Sequence, residues 1–448
     1  MPRSVQSRQF PEALRDTDLG SAAEPQSFGW QAMMTNTPTP TSPSERIVAL
    51  DALRGFAILG ILIMNVQSFS MIRAAYINPT AFGDLTGLNK LVWIVSHVLA
   101  DKKFMTLFAM LYGAGIVLLT GRLEAKGRGS CGVHYRRTVW LIVIGLMHAY
   151  LLWSGDILVT YGMCALVAYL FRHFSPRKSL AIGLSSFAFG SLLYFLAGVS
   201  MQRWPQSAVQ SMLHNWQPDP DAIAREVAAY RSGWLGQMPF RAHSSWFAQT
   251  TYFLFHTLWR TGGLMIIGMA LFKWGVLTGQ RTRRFYAWSI AAGFGVGVPL
   301  IAVGVYANFK AGWSMEYSMF LGMQYNYWGS ILVSAAYLGI VMLAVRSLRL
   351  RGATNVLAAV GRMAFTNYLM QTVLCTLLFY GHGFGLFGSM ERIWHPLIII
   401  CVWTLELALS PLWLSRFRFG PVEWLWRSLT YRALQPMRRT PVPSSPAI

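Results

Sequence analysis

Apolar residues along this chain gather into long runs, and short polar or basic connections separate one run from the next. A helix needs about 20 apolar residues to cross ~30 Å of hydrocarbon, so the pattern predicts an all-α fold, a polytopic membrane bundle of ten transmembrane helices. The predicted spans are 47–69, 103–120, 138–153, 154–171, 179–201, 246–277, 285–309, 318–345, 356–381 and 395–414.

Positive charge alternates between the connections that join these spans. Five connections hold 20 Lys and Arg residues against two acids, Glu124 and Glu423, whereas the connections between them are nearly balanced in charge. Because basic short loops stay cytoplasmic, we predict that both chain ends face the cytoplasm. The five basic connections are 121–137, 172–178, 278–284, 346–355 and 415–448.

The same pattern gives a domain division. Residues 1–45 are predicted to be a disordered cytoplasmic tail, because charges of both signs mix there with a Pro/Ser/Thr stretch. A transmembrane domain is predicted over 46–415, with an outer loop at 202–245, followed by a basic cytoplasmic tail with an amphipathic helix over 416–448. Segment 88–101 is predicted to be either an interfacial helix or the start of a long tilted span.

Composition agrees with a membrane protein and excludes several other classes. The 448 residues are 54% apolar and 12% charged, where soluble domains carry about 25% charge. The net charge of +21 lies mostly in the predicted cytoplasmic fringe, so it predicts contact with membrane lipids and no nucleic-acid partner. Four cysteines without a CxxC pair or a His/Cys cluster predict no metal site and no disulfide framework.

Ionisable residues inside the predicted spans are the candidates for chemistry, because each costs at least ~2.5–3.5 kcal/mol at membrane depth. Asp51 and Arg54 stand at i and i+3 near the start of the first span, so they share one helix face. Two interpretations remain open. They form an ion pair that orients the helix, or Arg54 anchors an anionic ligand that arrives from the cytoplasm.

His148 lies within the third span, and Asp156 follows in the next turn. An imidazole there is suited to act as a general base, a nucleophile or a proton relay. The two side chains meet if the hairpin between the spans is tight. The alternative is a hydrogen-bonded structural histidine beside an ordinary Gly-Asp turn.

Polar residues in the later spans have both structural and functional interpretations. Arg260, four residues after His256, lies at a depth similar to that of Glu406, so we predict a buried Arg260–Glu406 pair, an arrangement also suited to a proton-coupled carrier. Asn367 and Gln371 belong to a polar stripe that lines a cavity or bonds neighbouring helices.

Five strings carry a resemblance to a known family. They are LDALRGFAILGILIMNV (50–66), KFMTLFAMLYGAG (103–115), GLMHAYLLWSGDIL (145–158), GRMAFTNYLMQTVLC (361–375) and GPVEWLWRSLTY (420–431). In this order they resemble the YeiB-like family of bacterial inner-membrane proteins. The opening Leu-Asp-x-x-Arg-Gly is also similar to that of the transmembrane acyltransferase superfamily, which includes heparan glucosaminide N-acetyltransferases.

The resemblance implies a location, a reaction and roles for four residues. It implies a multi-pass protein of the bacterial inner membrane that moves an acyl group from cytoplasmic acyl-CoA to a carbohydrate or lipid acceptor of the envelope, with no bound cofactor. Arg54 and Arg362 would hold the donor's phosphates. His148 would activate the acceptor or take the acyl group itself, and Asp156 would orient it. The alternatives are a proton-coupled permease of a small solute and a non-enzymatic membrane protein.

Overall fold

The computed structural model describes residues 47–439, so residues 1–45 of the predicted disordered tail and residues 440–448 of the predicted basic tail lie outside it. The described residues form eighteen α-helices joined by short 3-10 and π turns. Their extended pairing is confined to an isolated bridge between Phe417 and Arg438. The predicted all-α class is therefore confirmed.

The helices follow one another along the chain with these bounds: α1 Val48–Ser70, α2 Arg73–Ile77, α3 Gly87–Leu99, α4 Lys103–Ala125, α5 Cys131–Leu151, α6 Leu158–Ala168, α7 Pro176–Ser200, α8 Gln206–Trp216, α9 Pro220–Arg231, α10 Met238–Gln249, α11 Leu258–Lys273, α12 Arg283–Lys310, α13 Met315–Tyr317, α14 Met323–Val345, α15 Arg351–Arg362, α16 Ala364–Phe379, α17 His395–Arg416 and α18 Pro421–Tyr431.

Helix length and composition support a membrane protein. In the described part of the chain, six helical stretches are long and apolar enough to cross a bilayer, namely Val48–Ser70, Gly87–Ala125, Pro176–Arg203, Arg283–Lys310, Met315–Val345 and Arg392–Arg416. Leu158–Phe171 and Ala364–Phe379 are apolar but shorter. The count of ten spans stays a prediction.

The structure divides the segment that was predicted as one span over 356–381. Helix α15 ends at Arg362 and α16 begins at Ala364, with Met363 outside helical geometry between them. The physical reason is a carboxylate from elsewhere in the chain. Glu423 on α18 accepts hydrogen bonds from the backbone N–H groups of Phe365 (2.7 Å) and Thr366 (3.1 Å), so it caps a new helix there.

Other boundaries also differ from the apolar pattern. The predicted span 154–171 begins as a helix only at Leu158, and 246–277 is interrupted by a π turn at Phe253–Thr257. Most of segment 88–101 forms a helix of its own, α3. This helix is separate from α4 because Lys102, with a left-handed φ of 67°, interrupts the helical backbone between them. The outer stretch 202–245 contains three helices, α8 to α10.

Helix α1 lies at the centre of the bundle, where it packs against α4, α14, α15, α16 and α17. Its closest approach is to α15. A Cβ on Gly361 would overlap the backbone carbonyl of Asp51, and a Cβ on Gly55 would overlap that of Leu357. Only glycine permits backbones to approach so closely. The contact fixes the first turns of α1, which carry Asp51 and Arg54, against α15.

Candidate functional site

A cavity of about 250 Å³ opens at the end of the bundle that carries the basic connections. Helices α1, α4, α5, α15, α16 and α18 contribute to its wall. Six arginines from separate parts of the sequence line it: Arg54, Arg122, Arg137, Arg362, Arg418 and Arg427. Four of them belong to two of the five basic connections, 121–137 and 415–448, so these two connections lie at the same end of the bundle.

The balance of charge in this cavity favours an anionic ligand. Among the lining residues that the structure describes, two carboxylates face the six arginines. Asp51 Oδ1 binds Arg54 Nη1 at 2.9 Å, so the sequence-predicted ion pair forms, with the Arg54 side chain 29% exposed. Glu423 binds the N-terminus of α16. Burial raises the pKa of Glu423, and the hydrogen bonds from Thr366 and Phe365 oppose that rise. Arginine forks are suited to phosphate oxygens.

His148 and Asp156 meet across the turn between α5 and α6. The Nδ1 of His148 lies 2.8 Å from Oδ1 of Asp156, and both side chains are almost fully buried. The second carboxylate oxygen, Oδ2, accepts a hydrogen bond from the backbone N–H of Val159 at 2.8 Å. Asp156 therefore holds the histidine and caps the start of α6 at the same time, which explains why the hairpin is tight.

The other ring nitrogen of His148 faces a hydroxyl. Its Nε2 lies 3.0 Å from Oγ1 of Thr372, on α16. An ionised carboxylate only accepts hydrogen bonds, so we assign the ring proton to Nδ1, next to Asp156. Nε2 then presents its lone pair to the hydroxyl of Thr372. Asp156, His148 and Thr372 therefore form a hydrogen-bonded chain. In this chain His148 is the base for the hydroxyl proton of Thr372, and the carboxylate of Asp156 orients His148.

The inner end of the cavity reaches the side chains that cover His148 and Asp156, the pair that we call the dyad. Ile157 and Tyr368 both line the cavity. The ring of Tyr368 lies 5.2 Å from the ring of His148, centroid to centroid, and its hydroxyl accepts a hydrogen bond from the N–H of Ile157 at 3.2 Å. One layer of side chains therefore separates the arginine-lined cavity from His148.

The C-terminal end of α5 is held by hydrogen bonds from side chains of α10, a helix that begins in the predicted outer stretch 202–245. Arg241 on α10 is 1% exposed, and its guanidinium donates to the carbonyls of Leu151 (2.5 Å) and Leu152 (3.3 Å). Ser245 donates to the carbonyl of Ala149 at 3.1 Å. These bonds satisfy carbonyls that the helix end leaves unpaired. They fix the turn that carries His148 and Asp156.

Three of the candidate residues serve helix packing. Asn367 on α16 donates to Ser410 Oγ at 3.1 Å. Gln371 donates to the carbonyl of Ile58 (3.2 Å) and to Glu406 Oε2 (3.1 Å). These bonds join α16 to α1 and α17, so the structural interpretation fits Asn367, Gln371 and Glu406.

The predicted Arg260–Glu406 ion pair is wrong. Arg260 on α11 donates to Thr106 Oγ1 (2.8 Å) and Ser330 Oγ (3.2 Å), while Glu406 on α17 accepts from Gln371. Equal depth along the sequence does not place two helices side by side, because α11 packs against α4 and α7 whereas α17 packs against α1 and α15.

His256 lies in the same part of the bundle as Arg260. It is 2% exposed, within the π turn that precedes α11, and its ring stacks on Tyr252 with centroids 4.9 Å apart. His256 and Arg260 therefore belong to a second polar region, apart from the arginine-lined cavity.

Sequence reasoning missed several residues of the site. Arg122, Arg137, Arg418 and Arg427 were counted only as positive charge at one membrane face. Thr372 was not singled out, although it follows Tyr368 by four residues and so shares its helix face. In the described residues, no group of three or more His, Cys, Asp or Glu is placed to hold a metal ion.

Comparisons with known proteins identify relatives over nearly the whole chain. The family described as protein of unknown function (DUF418) matches residues 271–433. The uncharacterized protein YeiB of Escherichia coli (strain K12) is 35% identical over 401 residues, which cover 88% of this chain and 98% of YeiB. The uncharacterized protein YxaH of Bacillus subtilis (strain 168) is 29% identical, over 89% of this chain and 98% of YxaH.

Proposed function

The chain belongs to the YeiB-like family, and we propose that it is an acyltransferase of the bacterial inner membrane. It would move an acyl group from cytoplasmic acyl-CoA to a hydroxyl or amine of a carbohydrate or lipid acceptor in the cell envelope. The observation that carries this proposal is the cavity whose wall holds six arginines and whose inner end reaches Tyr368, beside the buried His148–Asp156 dyad.

The arginines account for donor binding. Coenzyme A carries a pyrophosphate and a further phosphate at one end and the thioester at the other. Arg54 and Arg362 line the cavity with four further arginines, and bidentate arginine–phosphate bonds would hold the charged end there. The uncharged arm would then extend along the apolar wall towards Tyr368, which brings the thioester towards His148.

The dyad accounts for the transfer step. His148 Nε2 takes the proton from the acceptor's hydroxyl or amine as that atom attacks the thioester carbonyl. The new C–O or C–N bond forms, the C–S bond breaks, and the proton passes from Nε2 to the departing thiolate of coenzyme A. Asp156 stabilises the imidazolium that forms in between. Thr372 occupies the position beside Nε2 that the acceptor's hydroxyl would take.

Among the described residues, the arrangement on which the permease alternative depended does not form. Its proton path was predicted through an Arg260–Glu406 pair, and these two residues bind separate partners in the described part of the chain. Glu406 is fully buried and holds Gln371, a contact that suits helix packing.

The test is acyl transfer by the full chain in lipid nanodiscs. Purified protein is incubated with radiolabelled acetyl-CoA or palmitoyl-CoA and with carbohydrate and lipid extracts of a bacterial envelope, and labelled product and released thiol are measured. Wild type is expected to turn over, and His148→Ala is expected to lose about 10²–10⁴-fold in kcat, the usual contribution of a general base.

The matched control is His395→Ala. His395 is another buried histidine, 4% exposed, whose Nε2 lies 2.9 Å from the hydroxyl of Ser70. It is expected to retain wild-type turnover per folded molecule. Equal turnover in wild type and His148→Ala, or labelling with neither donor, would overturn the proposal.

A further inference from the structure

A second polar cluster lies at the opposite end of the bundle from the arginine-lined cavity, where α3, α4, α11 and α14 meet. We name it the lysine cluster. Its members are His97, Asp101, Lys102, Lys103, His256, Arg260 and Asn326. Five of these residues are buried, Lys103 completely, whereas His97 and Lys102 are partly exposed.

The cations of this cluster are paired with neutral oxygens. The ammonium of Lys103 donates to the carbonyl of His97 (2.7 Å) and to Oδ1 of Asn326 (2.6 Å). The guanidinium of Arg260 donates to two hydroxyls and, at 3.4 Å, to the carbonyl of Lys102. The printed hydrogen bonds of these two cations therefore go to dipoles and not to a carboxylate.

The one carboxylate of the cluster has hydrogen-bonding partners of its own. Asp101 Oδ2 accepts a hydrogen bond from Asn326 Nδ2 at 2.6 Å and lies 3.3 Å from Nδ1 of His97. Among the described members of the cluster, this one carboxylate faces Lys102, Lys103 and Arg260. The formal charges of these four side chains therefore sum to +2 inside an apolar bundle.

Helix geometry adds to this excess. Lys102 and Lys103 stand at the start of α4, where the helix dipole contributes further positive potential and where a cation is unfavourable. Lys102 also holds a left-handed backbone, with φ of 67°, a conformation that costs about 1–2 kcal/mol for residues other than glycine. Strain and like charge coincide at one position, as they do at ligand sites.

Two buried nitrogens of the cluster lack a partner in the described part of the chain, and one of them, Arg260 Nε, is always a donor. Among the residues that the structure describes, Arg260 Nε and His256 Nδ1 are buried without a hydrogen-bond partner. Arg260 and His256 are themselves 4% and 2% exposed, so water at the protein surface does not solvate them. Buried polar atoms are normally satisfied, and an unpaired one costs about 1–3 kcal/mol.

We propose that the lysine cluster binds a phosphate-type oxyanion, either a free phosphate group or the headgroup of an anionic lipid. The oxyanion supplies negative charge beside Lys102 and the acceptor that Arg260 Nε lacks, and it accepts from His256 Nδ1 when that nitrogen carries the ring proton. It enters beside the partly exposed side chains of Lys102 and His97. The inference does not rest on acyl transfer, because the cluster and the His148 dyad share no residue.

The test is anion-dependent thermal stability of the full chain. Protein in neutral detergent is melted in inorganic phosphate and in chloride at equal ionic strength. A ligand that binds only the folded state raises the midpoint with concentration, so phosphate is expected to raise the wild-type midpoint by several degrees. Lys102→Gln is expected to weaken phosphate binding at least tenfold, and Lys310→Gln, an exposed lysine at the end of α12, is expected to respond like wild type.

Asp101→Asn keeps the test decisive if Lys102→Gln fails to fold. It removes the single carboxylate of the cluster, so phosphate is expected to bind several-fold more tightly than to wild type, a gain that misfolding cannot produce.

Nanodiscs of phosphatidylglycerol and of phosphatidylcholine, both in chloride, distinguish a lipid headgroup from free phosphate as the source of the oxyanion. If phosphatidylglycerol alone stabilises the wild type, the ligand is a lipid headgroup. If neither phosphate nor phosphatidylglycerol stabilises it, or if Lys102→Gln responds like Lys310→Gln, the proposal is overturned.

Discussion

The arginine-lined cavity and the lysine cluster both hold excess positive charge at the ends of an apolar bundle, yet they are built differently. The cavity has open volume, and its Arg54–Asp51 pair is partly exposed. In the lysine cluster, Lys103 and Arg260 donate to neutral oxygens of the protein, and Arg260 Nε has no partner among the described residues. The contrast favours a large anionic ligand in the first region and a single oxyanion in the second.

The same contrast separates the two histidines. His148 has a partner on each ring nitrogen, a carboxylate at 2.8 Å and a hydroxyl at 3.0 Å. His256 stacks on Tyr252, and within the described residues its Nδ1 has no hydrogen-bond partner. A histidine that is oriented on one side and faces a hydroxyl on the other is prepared for proton transfer.

The largest expected effect is on the dyad. Asp156→Asn keeps the size of the side chain but removes the charge that stabilises the imidazolium and fixes the tautomer. We expect kcat for acyl transfer to fall by about 10²–10⁴-fold, while acyl-CoA binding, measured by titration calorimetry, changes little. Asp221→Asn, at an exposed position of α9, is the control. A fall in binding without a fall in kcat would assign Asp156 to the cavity.

The next effect separates binding from chemistry. Arg54→Gln removes one phosphate contact, so we expect KM for acyl-CoA to rise about 10–100-fold, since a charge-assisted hydrogen bond contributes ~1.5–3 kcal/mol, with kcat within about threefold of wild type. The rise is expected to be smaller at high salt. Arg283→Gln, at an exposed arginine that begins α12, should leave KM unchanged. A fall in kcat with unchanged KM would contradict donor binding by Arg54.

A smaller effect is expected where α15 holds α1. Gly361→Ala places a methyl group against the carbonyl of Asp51, and α1 must shift to accept it. We expect a loss of about 1–3 kcal/mol in unfolding free energy, measured by denaturant titration in detergent, together with weaker acyl-CoA binding. Gly352→Ala on the same helix meets open space and should be neutral or slightly stabilising. Equal stability of the two variants would refute the close crossing.

The smallest effect concerns the cap of α16. Burial raises the pKa of Glu423 above its ordinary value of 4.5, so the folded state holds the proton more tightly than the unfolded state. Wild type therefore loses stability relative to Glu423→Gln as pH rises from about 4.5 through the raised folded-state pKa. Melting midpoints of both proteins across this window, with the exposed Glu316→Gln as control, measure the difference. A gap that widens in favour of wild type with rising pH would contradict the assignment.

The helical bundle could be predicted from the sequence because apolar runs and basic connections are local signals. The Asp51–Arg54 pair also follows from spacing within one helix, and the approach of Asp156 to His148 follows from a short hairpin. In each case the chain between the two residues is short enough to limit where they lie.

The rest depends on which helices become neighbours. The Arg260–Glu406 pair failed because depth does not determine adjacency. Thr372 reaches His148 only because one turn of α16, from Tyr368 to Thr372, lies against the end of α5. The division of the predicted span 356–381 depends on Glu423, a carboxylate almost sixty residues away. No periodicity within a helix carries that information.

The most direct measurement of the central claim is a cryo-electron microscopy structure of the full chain in nanodiscs with a ketone analogue of acetyl-CoA, in which the thioester sulfur is replaced by methylene. Our account predicts density for the phosphates against Arg54 and Arg362 and the ketone carbon beside Nε2 of His148, with Tyr368 displaced. Density for the analogue on another surface, or phosphates in the cavity with the acyl end directed away from His148, would contradict it.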